Sequence, residues 1–164
     1  MGSPERGIDD FLEKLDVPVY VVTVASAGER SGCLVGFVTQ CSILPPRLLV
    51  CISEKNHTHR VAAEAGVMAL HLVPSGASDI VRLFGSETGD DIDKFDRCEW
   101  FPGPSQVPLL VECPSRMVCR VLDRFPVGDH TAHLVEALDG SEGTEPVVTL
   151  TEVRKAGVHP GHSP

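Results

Sequence analysis

The chain has 164 residues, a length that suits one domain with a core of its own, and its 42% hydrophobic content excludes a disordered chain. A formal net charge of −9 argues against a nucleic-acid or anionic-membrane partner, since either needs accumulated basic surface. No apolar run approaches the ~20 residues that span a bilayer, and no basic-then-apolar leader opens the chain, so a cytoplasmic location is expected.

Residues 1–15 read as a lead-in and a short helix, with Met1-Gly2-Ser3-Pro4 as its loose start. Val17 to Val24 is valine-rich and reads as a buried strand, and Ala25-Ser26-Ala27-Gly28-Glu29-Arg30 as the turn after it. Ser31 to Ile43 forms the return strand of this opening hairpin, ended by Pro45-Pro46, which forces an extended break. Leu48 to Ile52 is a short apolar strand. It leads into the polar turn Lys55-Asn56-His57-Thr58 and a helix over Thr58 to Ala65, with Gly66 as its stop. Val67 to Val73 is strand again, and Ser78 to Phe84 a short helix capped by Ser75 or Ser78.

Gly85 to Gln106 is polar, acidic and rich in Gly and Pro, so it is expected as an excursion outside the core. Arg116 to Phe125 and Thr131 to Leu138 are strands joined through the turn residues Pro126-Val127-Gly128-Asp129. Val147 to Val153 reads as a last strand and residues 154–164 as a flexible tail. The class is mainly β with short helices. Mostly antiparallel strands favour a small closed or split β-barrel over a doubly wound sheet.

Six cysteines include no C-x-x-C pair, and four lie in strand-like apolar runs, so reduced core cysteines are expected, with Cys98 the most exposed. His57-x-His59 lacks a neighbouring cysteine or carboxylate at a familiar ligand spacing, and no metal site is expected. No G-x-G-x-x-G follows the first strand, which argues against a Rossmann nucleotide site.

Two segments invite a ligand. At the helix start, Lys55, Arg60 and main-chain N–H groups could take a phosphate, with Asn56 or Thr58 as cap; an ordinary solvent-exposed helix start fits these residues equally. In the strand before it, Gly36 allows close approach of a flat ring or marks a bulge, Thr39 and Ser42 offer hydroxyls, and Gln40 points either to a ligand or outward.

The order of these features, from Gly32-Cys33-Leu34-Val35-Gly36-Phe37-Val38 to Gly128-Asp129-His130, resembles the flavin reductase-like family of FMN-binding split barrels over Asp16 to Leu138. The resemblance implies one such domain over residues 16–153. By the same likeness Gly36, Phe37, Val38, Thr39, Gln40, Cys41 and Ser42 run beside the flavin ring, and Lys55, Asn56, His57, Thr58 and Arg60 lie against the phosphate. His130 would stand at the reactive face where the nicotinamide docks, and Trp100 would lie near the cofactor edge. From the residues alone, a strand histidine after a turn is the better reading of His130, Asp129 either fixes its tautomer or caps the turn, and a lone tryptophan is more often packing. The implied activity is an NAD(P)H-dependent flavin reductase using FMN or FAD, a homodimer that serves a partner monooxygenase. Gly36-Phe37-Val38 replaces the small hydroxyl or amide residues of many relatives. Two alternatives therefore stay open: a deazaflavin- or FMN-dependent oxidoreductase with its own substrate, and a non-catalytic flavin- or haem-binding module.

Overall fold

A computed structural model describes residues 4–159. Strands β1 (Tyr20–Ser26) and β2 (Glu29–Val35) make a hairpin closed by Ala27 and Gly28, both at positive φ (49° and 79°). That two-residue turn matches the twist of its strands, so the loop is shorter than the six residues expected from sequence. β1 also pairs with β5 (Val67–Leu72), β5 with β8 (Arg116–Pro126), β8 with β9 (His130–Ser141), β9 with β4 (Arg47–Ser53), and β4 with β3 (Val38–Ser42). All six pairings are antiparallel, in the order β2-β1-β5-β8-β9-β4-β3.

The expected return strand over Ser31 to Ile43 is two strands, and they form the two opposite edges of the sheet. The chain leaves β2, the partner of β1, at Gly36-Phe37 and crosses to pair with β4, where the Cys51 N–H donates to Phe37 O at 2.9 Å. The sheet is curled and open: no ladder joins β2 to β3 among the described residues. Both halves of Ser31 to Ile43 have strand composition, so periodicity alone hid the break.

Valines of β1 supply both faces of the core, which explains why that strand lacks polar alternation. Val22, Val24, Val50, Ile52 and Met68 pack inside the curl with the short helix α2 (His57–Ala62). On the other side, Val19, Val21, Phe84, Phe95 and Leu110 pack under helix α3 (Ser78–Ser86) and helix α4 (Leu150–Lys155). Helix α1 (Pro4–Leu12) buries nothing.

Several sequence expectations are corrected here. α3 starts after Ala77 with no side-chain cap, so neither Ser75 nor Ser78 caps it, and α2 ends at Ala63 before reaching Gly66. The expected last strand is two isolated bridges, Pro18 with Thr149 and Pro74 with Val147, followed by α4, because Thr149 and Glu152 form a capping box. The Gly85 to Gln106 excursion returns to the body: Lys94 and Phe95 are buried, and β6 (Trp100–Pro102) pairs with β7 (Pro108–Leu110). Of the residues expected as a tail, Arg154 and Lys155 end α4, and Val158 packs against the α3–α4 cluster. Residues 160–164 and 1–3 lie outside the described residues. Cys98 is half-buried, and Cys41 is the exposed cysteine.

Candidate functional site

The break between β2 and β3 opens a cleft of about 480 Å³. Leu34, Val35 and Phe37 form one apolar side, Leu150 and Val158 come from the C-terminal segment, and Phe84 closes an end. The spacing at Gly36 is narrow: a Cβ there would stand 3.2 Å from Leu150 Cδ1, so the Leu150 side chain would have to give by a few tenths of an ångström. The polar lining comes from Ser53, Asn56, Thr88 and His130, with the charged residues Glu54, Lys55, Glu87, Asp129 and Arg154.

His130 opens β9 opposite Ser53 of β4, and the Glu54 N–H donates to Asp129 O at 3.0 Å, so the 53–56 turn and the 129–130 segment are stitched together. The His130 ring lies 5.2 Å from the Phe37 ring, tilted by 48°. Its Nδ1 is 2.7 Å from Asp129 Oδ1. A carboxylate only accepts, so Nδ1 carries the proton and donates it, which fixes the tautomer. The His130 hydrogen bond in turn holds the Asp129 carboxyl below its ordinary range.

Of the residues anticipated from sequence, Gly36, Phe37, Lys55, Asn56 and His130 meet in this cleft. Val38, Thr39, Gln40, Cys41 and Ser42 run away from it along edge strand β3; Thr39, Gln40 and Cys41 are exposed, and Gln40 Nε2 donates to Ser42 O at 3.1 Å. Thr58 is buried, its hydroxyl 2.8 Å from Ser31 Oγ, while Asn56 caps α2 by accepting from the Thr58 N–H at 2.9 Å. The His59 N–H donates to Asn56 O, so these first amides of α2 are used by the chain itself. His57 and Arg60 face Glu29 instead of the cleft. Trp100 lies under Arg30, whose guanidinium carbon is 4.9 Å from the ring centroid, and is packing.

Sequence reading missed the C-terminal wall of the cleft: Leu150, Val153, Arg154 and Val158 all line it. Its signal was the T-x-x-E pattern at Thr149 and Glu152, a helix start hidden in a valine-rich run.

Residues 12–155 match the family described as a flavin reductase like domain. The chain belongs to that family. This flavin reductase-like chain is 27% identical over 128 residues to the ferric-chelate reductase (NAD(P)H) of Archaeoglobus fulgidus, covering 77% of this chain and 76% of that protein. It is 28% identical over 121 residues to the FMN reductase (NADH) RutF of Methylorubrum populi, covering 74% of this chain and 59% of that protein. The solved NADH:FAD oxidoreductase SgcE6 of Streptomyces globisporus C-1027, in complex with NAD and FAD fragments, shares the fold at 22% identity and a TM-score of 0.80 over 94% of this chain and 93% of that one.

The cleft suits the flavin that the family name implies. Its volume lies within the ~300–1,000 Å³ common for small-molecule sites, apolar side chains line it beside Gly36, and Lys55 and Arg154 are the cations of a lining that also holds Glu54, Glu87 and Asp129.

Proposed function

We propose that the protein is an NAD(P)H-dependent flavin oxidoreductase that binds FMN or FAD in the cleft between β2 and β3. The observation that carries this reading is the convergence of Gly36, Phe37, Lys55, Asn56 and His130, from three distant segments, on one apolar slot in a flavin reductase-like fold. A bound flavin supplies the acceptor for the nicotinamide hydride. The chain's own work is alignment and exclusion of water. Phe37 and His130 frame the mouth, Asp129 orients the imidazole, and Leu34, Leu150 and Val158 keep the slot dry. Lys55 would hold the phosphate end of a bound flavin, and the partner that such a reductase would supply is a monooxygenase.

NADH or NADPH oxidation by the purified protein should appear only with added FMN or FAD and persist in a metal chelator. Loss of activity on chelation, restored by zinc, would sink the reading. FMN should bind about three- to tenfold tighter than riboflavin, the size expected of an exposed charge contact, and Lys55→Ala should remove the difference. Equal affinities in the parent protein would take Lys55 out of the site.

The same reading includes a homodimer. Its support is the exposed turn between β3 and β4, where Ile43 and Leu44 are 86% and 91% exposed beside an unpaired strand edge. Light scattering should give twice the 17.6 kDa of one chain. A monomer, unchanged by Leu44→Asp, would refute it.

A further inference from the structure

The C-terminal wall of the cleft carries a cation that the chain itself does not pair. Arg154 lines the cleft from α4, and among the described residues its guanidinium makes no ion pair, hydrogen bond or ring contact. Arg30, Arg47, Arg60, Arg116, Arg120 and Arg124 each hold a carboxylate or a backbone carbonyl. Of the arginines without such a partner among the described residues, Arg82, Arg97 and Arg154, only Arg154 lines the cleft.

The place of Arg154 on the wall is set by its helix. The Leu150 N–H donates to Val17 O at 2.8 Å and the Thr151 N–H to Asp16 Oδ1 at 3.1 Å, so the start of α4 is tied to the segment before β1. Leu150 and Arg154 are four residues apart, on one face of α4 and ~6 Å from each other along its axis. Leu150 lies against Gly36, and Val158 against Gly85, where a Cβ would stand 3.0 Å from Val158 Cγ1 and 3.1 Å from Leu34 Cδ2. The wall is therefore apolar at these two contacts, with Arg154 between them in the chain.

Two of the three carboxylates in the lining have cations of their own. The His130 hydrogen bond, and after it the charge of Lys55, hold the Asp129 carboxyl below its ordinary range. Glu87 faces the buried Lys94 ammonium, whose pKa burial lowers and the Glu87 charge helps to raise. A second phosphate brought in beside Glu54, Glu87 and Asp129 meets like charge and needs a cation that is not already engaged. A guanidinium suits it, since its fork of N–H donors matches two phosphate oxygens at once.

We propose that Arg154 is a specificity-determining residue: it takes the adenylate-side phosphate of a dinucleotide, a group that FAD, NADH and NADPH carry and FMN lacks. The proposal rests on the flavin reading above and adds to it the class of nucleotide that the α4 wall selects.

Calorimetric titration reads this in two arms: FAD against FMN into the protein alone, and NAD⁺ against nicotinamide mononucleotide into protein saturated with FMN. In each arm the first ligand carries the extra phosphate and the second does not, and neither oxidised nicotinamide reduces the flavin. Arg154→Ala should lower the ratio of dinucleotide to mononucleotide affinity about three- to tenfold in at least one arm, the size of a charge contact at an exposed site, and the arm that moves identifies the dinucleotide. Arg154→Lys should restore part of the ratio, since an ammonium keeps the charge but not the fork. In the parent the same ratio should decline as salt is raised from about 50 mM to about 500 mM, and Arg154→Ala should show little of that decline. Ratios unmoved in both arms overturn the assignment, including the case in which FMN and FAD weaken alike. A parent that binds neither FMN nor FAD removes the flavin reading and this one with it, whereas a parent that binds both flavins and is unaffected by Arg154→Ala in both arms loses only the role of Arg154.

Discussion

Replacing His71 with alanine should destabilise the protein by roughly 3–5 kcal/mol, the sum of a core cavity and an orphaned backbone donor. His71 on β5 is fully buried. Its Nδ1 is 3.0 Å from Val21 O and its Nε2 accepts from the Leu110 N–H at 3.0 Å, so the neutral ring, protonated on Nδ1, satisfies both neighbours. A second proton would turn N–H against N–H. Burial, opposed by the Val21 hydrogen bond, pushes the His71 pKa down from 6.5 to about 4.

A pKa depressed in the folded state means that the unfolded chain binds the proton first as pH falls. Stability from this group is therefore complete above about pH 6.5 and declines down to about pH 4, by about 3 kcal/mol in all. Urea unfolding followed across that range checks both statements. His71→Gln, which cannot titrate, should flatten the acid limb relative to the parent. An unchanged limb would mean that another group controls acid stability.

His130→Ala should slow reduction of bound FMN by roughly ten- to a hundredfold, on the order of 1.4–2.7 kcal/mol, while FMN affinity changes little. The side chain begins β9 at the cleft mouth, 5.2 Å from Phe37, and Asp129 holds its tautomer. It can orient one reactant without carrying the other. His133, three residues on, is buried and stands 3.2 Å from Val50 O, so it belongs to the core. Stopped-flow reduction by NADH beside a fluorescence titration with FMN separates the two effects. A normal rate would return His130 to a strand histidine, and a collapsed affinity would make it a binding residue.

Strand spacing, the Pro45-Pro46 break and the Gly128-Asp129-His130 turn were legible because each rests on local chemistry: apolar runs, fixed φ angles, turn-forming side chains. The split of Ser31 to Ile43 was not, since strand propensity is the same on both edges of a sheet and the crossing is decided by distant partners on β1 and β4. Helix α4 was masked by Val147 and Val148, which bridge to other segments before the chain turns at Thr149. The expected phosphate cluster divided for a similar reason. Lys55 and Asn56 stay at the cleft, but His57 and Arg60 turn to Glu29, a residue 28 positions upstream of His57 that no spacing rule connects to them.

The crossing at Gly36-Phe37 also bears on how such a protein diversifies. Apart from the bond between the Cys51 N–H and Phe37 O, this dipeptide belongs to no paired register. A substitution at Phe37, 56% exposed, can reshape the slot without disturbing the ladders on either side. The shape of the cleft wall and the pairing of the sheet are thus borne by different residues of one short segment, and the first can drift while the second is held.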